Sequence, residues 1–187
     1  MVRSSGLSTE LLDQLEQTLD NSPEEVRVAS TLNQGKQVVT PVRVSHIKWI
    51  RPNENNEWIF NFMNGLIDEV NSTYFGFNLN GYDSFQYTSY LGDEEGHYGW
   101  HMDMHLTNNV DLFRYGVRKL SMSFLVNNGY EGGHFELNTG TQESPVRIQA
   151  KRGDAIFFPS YMCHRVTPVI DGTRKSLVVW VLGPKFV

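Results

Sequence analysis

The chain has 187 residues, 40% hydrophobic and 20% charged, a composition that excludes a disordered or fibrous chain and suits a single globular domain. A fold of this size buries about 70% of the surface its unfolded chain exposes, so no disulfide or structural metal is needed and any metal would serve chemistry. Sixteen Lys and Arg against 21 Asp and Glu give a net charge of −5, and no basic run is longer than a pair, which argues against duplex nucleic acid as a partner. The one cysteine, Cys163, can form no internal disulfide, and the first residues lack the apolar stretch of a signal peptide, so a reducing, cytoplasmic setting is expected. No apolar run approaches the ~20 residues of a membrane helix, and a soluble protein with no membrane partner is expected.

In chain order, Ser8 is the expected N-cap of a short amphipathic helix with Leu11, Leu12, Leu15 and Leu19 on one stripe, stopped by Asn21-Ser22-Pro23. Residues 38–50 are rich in β-branched side chains and predict an early strand, interrupted at Pro41 and closed by Arg51-Pro52. Trp58, Ile59, Phe62, Met63, Leu66, Ile67 and Val70 then predict a second helix with one broad apolar face. Beyond Tyr74 the pattern alternates, and strands are expected near residues 85–90, 98–106, 119–126, 134–137, 146–148, 155–158, 164–169 and 176–182. Turn signals such as Asn127-Asn128-Gly129 and Asp171-Gly172 separate them. The order predicts a mainly β fold with supporting helices. It is a double-stranded β-helix, or jelly roll, of about residues 76–187, with helical N-terminal support over about 1–75 packed on one sheet, together forming one domain.

In Trp100-His101-Met102-Asp103-Met104-His105, the residues His101, Asp103 and His105 fall at steps of two, which on a strand point to one face. A His-x-Asp pair supplies one imidazole and one carboxylate. With a distant third ligand it would complete one face of an octahedron and leave the other open, as in mononuclear non-haem Fe(II) oxygenases. A half-exposed polar strand yields such pairs too, so on its own the pair leaves a structural role open.

Downstream, Gly153-Asp154-Ala155-Ile156-Phe157-Phe158-Pro159-Ser160 leads to His164-Arg165-Val166 and then to Gly172-Thr173-Arg174-Lys175-Ser176. With Tyr90, Tyr98, His101-x-Asp103, Gly132-Gly133 and Arg174 following His164, residues 86–184 resemble the 2-oxoglutarate- and Fe(II)-dependent dioxygenases, in particular their prolyl 4-hydroxylase-like branch. Arg43-Val44-Ser45 and the second helix look like that family's N-terminal support. The resemblance implies that His101, Asp103 and His164 are iron ligands and that Arg174 binds the distal carboxylate of 2-oxoglutarate. A planar guanidinium suits that task because it grips a carboxylate through two parallel charge-assisted bonds. It further implies Tyr90 as a 2-oxoglutarate contact, Tyr98 at the substrate entrance, O2 as cosubstrate and ascorbate as iron reductant. The implied reaction hydroxylates an unactivated C–H bond with release of succinate and CO2, the leading substrate being a prolyl side chain in a protein or peptide, with a small molecule as the other option. Leu125 departs from the pattern, because related prolyl hydroxylases often carry a tyrosine there.

Two other classes stay open on sequence grounds: a non-catalytic jelly-roll binding module, and a cupin-type metal enzyme that does not use O2, with His134, Glu136 and His164 as its set. His105 is left without a role. His46 and His97 are expected on the surface, Cys163 and Trp100 in the interior. Substrate-selecting loops are expected over residues 92–97, with the acidic Asp93-Glu94-Glu95, and over residues 107–117.

Overall fold

The computed structural model describes residues 1–33, 36–38, 40–82, 84–104 and 116–185, so His105 and most of the 107–117 loop lie outside the described residues. The elements begin with β1 (Val2–Ser4), α1 (Thr9–Asp20), β2 (Arg27–Val28), β3 (Thr31–Asn33), β4 (Lys36–Val38), β5 (Arg43–Val44), β6 (His46–Ile50) and α2 (Glu57–Val70), which runs into a π-turn at Asn71–Phe75. There follow β7 (Phe85–Leu91), a 3-10 turn at Gly92–Glu94, β8 (His97–His101), β9 (Val117–Leu125), β10 (Glu131–Gly132), β11 (Phe135–Leu137) and β12 (Val146–Arg147). The chain closes with β13 (Asp154–Pro159), β14 (His164–Val166), β15 (Val169–Asp171) and β16 (Thr173–Gly183).

A seven-stranded sheet in the order β1-β13-β9-β16-β7-β6-β2 faces a five-stranded sheet in the order β12-β11-β14-β8-β5, both antiparallel. This is the expected jelly roll. Both expected helices form and pack on the outer face of the larger sheet. Ser8 caps α1 by accepting from the Leu11 N–H, and Leu12, Leu15 and Leu19 are buried. Leu15, Leu19, Ile59, Met63 and Val70 share one core cluster with Phe124, Leu177 and Val179 of the sheet. Polar ties reinforce the contact of α1 with the sheet: Lys175 Nζ lies 3.1 Å from Glu16 and 2.7 Å from Asp20, whose carboxylate also accepts from the Tyr87 hydroxyl.

The N-terminal part is less purely helical than its pattern suggests. The early strand starts only after Pro41 and divides at Ser45 into β5 and β6, which join opposite sheets, and β1 and β2 close the two edges of the larger one. Later, the expected strand over 164–169 breaks at Thr167-Pro168, since proline has no N–H to donate to a ladder, and β15 pairs instead with β10.

The larger sheet is buried on both faces, and its side chains sort by the two-residue period of a strand. On β16, Leu177, Val179 and Val181 go to the helix side, while Arg174, Ser176, Val178 and Trp180 line the space between the sheets. The same parity sends Met122 and Phe124 of β9 outward and Ser123 inward. Phe124→Ala, which empties a fully buried site on the helix side, should cost about 3–5 kcal/mol in urea denaturation. Leu11→Ala, at a residue 40% exposed, should stay within about 0.5 kcal/mol; equal losses would show that the core is not beneath the helices.

Candidate active site

His101 ends β8 and His164 opens β14, and the two strands pair with these residues directly opposite. Asp103 lies past the end of its strand, because after His101 the chain leaves the smaller sheet and the Met104 N–H bonds to the Ser160 carbonyl. The expected strand over 98–106 therefore stops at 101, and a bend rather than alternation along a strand turns Asp103 inward. His101 Nε2 is 3.6 Å from Asp103 Oδ1, and His164 Nε2 is 3.6 Å from Asp103 Oδ2. Among the described residues these three form the only His/Cys/Asp/Glu group whose candidate ligand atoms cluster as for a metal, all within 4.8 Å of one another.

Each imidazole is fixed by its own backbone. His101 Nδ1 lies 2.8 Å from the Gly99 carbonyl and His164 Nδ1 lies 2.9 Å from the Met162 carbonyl. A carbonyl only accepts, so in the neutral ring the proton sits on Nδ1 and the Nε2 lone pair faces the site. Burial holds the His164 pKa below the ordinary imidazole value, outweighing the attraction of Asp103. Burial alone would push the Asp103 carboxyl up, but the attraction of the adjacent His101 and His164 rings and the hydrogen bond from the Ser121 hydroxyl hold it well below the usual carboxylate range. The cluster thus offers a carboxylate oxygen and two ring nitrogens, a donor set suited to Fe(II).

Asp103 is clamped from β9: Ser121 Oγ donates to Oδ2 at 2.7 Å and is itself 2.9 Å from Ser160 Oγ, while Arg118 Nη1 reaches the Asp103 carbonyl at 3.3 Å. Arg174 is 1% exposed, with Nη1 donating to Ser176 Oγ at 3.2 Å, Nε unpartnered, and the guanidinium 5.5 Å from the Tyr90 ring centre. A buried guanidinium held only by a neutral hydroxyl is costly unless an anion completes it. Gly133, at φ 61°, backs this arrangement; a Cβ there would stand 2.8 Å from Arg174 Cδ. Tyr98 stacks on His101, ring centres 3.4 Å apart, and burial raises its pKa, leaving a neutral phenol.

Every residue singled out in the sequence for this site, His105 aside, lines the same pocket: His101, Asp103, His164, Arg174, Tyr90 and Tyr98. Sequence reasoning passed over Gln86, Ser121 and Ser123, and named Arg43 only as support. The inward parity of β7 and β9, once fixed by Tyr90, would have found all but Arg43. Trp100 corrects the expectation of a core residue. It is 38% exposed on the outer face of the smaller sheet, with the Arg165 guanidinium 4.6 Å from its ring centre. Arg165 and Arg147 both pair with Glu136 on that face, so Glu136 is directed away from His164 and the His134/Glu136/His164 set does not form. Cys163 is only half-buried, His97 Nδ1 meets the Glu95 carbonyl, and Glu94 of the acidic rim pairs with His46.

Residues 85–182, just over half of the chain, match the family profile of the 2OG-Fe(II) oxygenase superfamily. The chain belongs to that superfamily. Curated relatives include a PKHD-type hydroxylase of Alteromonas mediterranea, 34% identical over 87 residues, which are 45% of this chain and 37% of the relative. Another, from Psychrobacter sp., is 35% identical over 86 residues, 45% of this chain and 32% of the relative. The matched stretch thus spans about a third of those relatives' length. Among solved structures, a Trichoplax adhaerens prolyl hydroxylase, in complex with a hypoxia inducible factor peptide, aligns with TM-score 0.75 at 18% identity, covering 97% of this chain and 82% of that one. A Pseudomonas putida prolyl-4-hydroxylase aligns with TM-score 0.69 at 19% identity, covering 99% and 92%. Membership in the superfamily implies chemistry built on Fe(II), 2-oxoglutarate and O2, and the buried N/O donor cluster fits it.

Ser121→Ala leaves a buried carboxylate oxygen without its hydroxyl donor, so metal-free protein should lose about 1.5–3 kcal/mol in urea denaturation, with Ser121→Thr near wild type. The Glu136 carboxyl, which burial would raise, is held below its ordinary value of 4.5 by Arg165 and Arg147. Its stabilisation is therefore present above that value and lost as the pH falls through and below it. Glu136→Gln should flatten the rise of stability with pH over about pH 3–5; an unchanged slope would remove this pair from the acid response.

Proposed function

We propose that the chain is an Fe(II)- and 2-oxoglutarate-dependent hydroxylase that acts on an unactivated C–H bond, a prolyl side chain in a protein or peptide being the leading substrate. The observation that carries this reading is the meeting, in one pocket, of an ionised Asp103, two imidazoles with inward Nε2 and a buried Arg174 that lacks an anion. His101, Asp103 and His164 would hold the iron. Three protein donors leave the remaining positions to the cosubstrates. Arg174 would grip the distal carboxylate of 2-oxoglutarate, with Ser176 fixing its guanidinium and Tyr90 against it. When bound, iron with 2-oxoglutarate and O2 supplies the oxidant that turns C–H into C–OH, releasing succinate and CO2. The chain's own share is to orient both substrates and keep water out: Phe135, Phe158 and Val166 make that part of the wall apolar, and Tyr98, stacked on His101, would line the substrate entrance.

The prolyl assignment is supported by the hydroxylases that this fold resembles. Ascorbate as iron reductant and a cytoplasmic setting complete the proposal; among the described residues no helix is long and apolar enough to cross a membrane. Wild-type protein given Fe(II) and 2-oxoglutarate without O2 should develop the charge-transfer absorption of a chelated keto acid. His164→Ala and Asp103→Ala should not, and a folded, iron-loaded wild type without the band would end this reading. Arg174→Gln should bind iron normally and raise the 2-oxoglutarate concentration needed for half the band by about 10- to 100-fold.

A further inference from the structure

The pocket holds a second buried cation that this reaction leaves unexplained. Arg43, on β5 at the edge of the smaller sheet, is 6% exposed and lines the same pocket as Arg174 and Asp103. Its Nε donates to Ser45 Oγ at 3.1 Å and its Nη2 to Gln86 Oε1 at 2.6 Å, both neutral acceptors. Among the described residues no carboxylate pairs with it. The Tyr98 ring, whose centre is 4.6 Å from the guanidinium, gives it an aromatic face rather than a carboxylate partner.

A role as a strut between the sheets accounts for the two hydrogen bonds but not for the charge, because a neutral amide could bridge Ser45 and Gln86 without the cost of desolvating a guanidinium. The formal charges point the same way. Among the pocket's described side chains Asp103 is the one carboxylate and Arg43 and Arg174 are the two cations. With Fe(II) and the 2-oxoglutarate dianion added, the site is one negative charge short of neutrality.

We infer that Arg43 and Gln86 form a second carboxylate subsite, which takes a free carboxylate of the substrate. The inference rests on the oxygenase reading and deepens it. Arg43 stacks over Tyr98 and Tyr98 over His101, so no more than those two stacking distances separate the guanidinium from the metal-side ring. That span is about two residue lengths. The preferred substrate is therefore one with a carboxylate on the oxidised residue or within about two residues of it, and an interior peptide proline with uncharged neighbours would be a poor one.

The test uses protein loaded with Zn(II), which cannot turn over, and with 2-oxoglutarate, so that Arg174 and the metal are already engaged. Acetate, acetamide, L-proline and L-prolinamide are titrated in, with binding read by the shift in thermal midpoint and by ligand-observed NMR. Acetate and L-proline should each bind about tenfold or more tightly than the matching amide. That preference should vanish in Arg43→Gln, persist in part in Arg43→Lys, and be unchanged in Arg147→Gln on the outer face. Equal binding of acid and amide by the wild type overturns the inference whatever the variants do, so it stays exposed even if Arg43→Gln fails to fold. So does a preference that survives in folded Arg43→Gln. Loss of 2-oxoglutarate binding in Arg43→Gln, before any acid is added, would make Arg43 a cosubstrate clamp and equally overturn it. Failure of the wild type to bind 2-oxoglutarate at all would instead count against the oxygenase reading.

Discussion

The two-residue alternation along the central strands, in a sheet covered on both faces, is the constraint on which the rest depends. Leu177 and Val179 must lie beneath the helices and Arg174 and Ser176 between the sheets, and β16 hydrogen-bonds to β7 on one side and β9 on the other. A slip of one residue would drive a guanidinium into the helix-covered core and bring valines to the pocket. The contact that stabilises the fold is thus also the one that aims the cationic side chain. Because α1 and α2 supply the outer half of that register, the two helices help build the site without lending it a side chain.

Charge sets the second condition. Two arginines and an aspartate are withdrawn from water in one small space, and only the aspartate has polar partners on both oxygens, the two imidazoles and the Ser121 hydroxyl. Burying the arginines in this way opposes folding, and the apolar clusters on either side of the larger sheet must offset it. In exchange, the guanidiniums are already oriented and dehydrated when an anion arrives, so little reorganisation remains to be done on binding.

Much of this was legible in the sequence. The helices declared themselves through Leu12/Leu15/Leu19 and Ile59/Met63/Val70, the jelly roll through the succession of short alternating runs, and the residues that meet in the pocket through motifs spaced along the last hundred residues. What failed had local causes. Asp103 faces the site by virtue of a bend, yet the step of two from His101 looks the same on paper. Alternation along the strand predicts a core Trp100 because it turns Trp100 away from the metal-pair face, but that strand belongs to the smaller sheet, over whose outer face no helix packs among the described residues, so the indole is covered by Arg165 instead. Arg43 could not be found from spacing, since its partner Gln86 is 43 residues away and on the other sheet.

Trp180 joins two spaces. It lines the pocket between the sheets on one side and, with Trp49, Arg51 and Arg118, an outer cleft of about 450 Å³ on the other. The Arg118 guanidinium lies 4.1 Å from its ring centre, Trp49 is 6.1 Å away, and its indole N–H is buried without a partner. Indole emission responds to neighbouring cations, to aromatic coupling and to the hydrogen bond at nitrogen, so a ligand against the ring in either space would alter its surroundings. The fold therefore carries an intrinsic optical probe at the threshold of its own pocket, by which occupancy can be followed without a label.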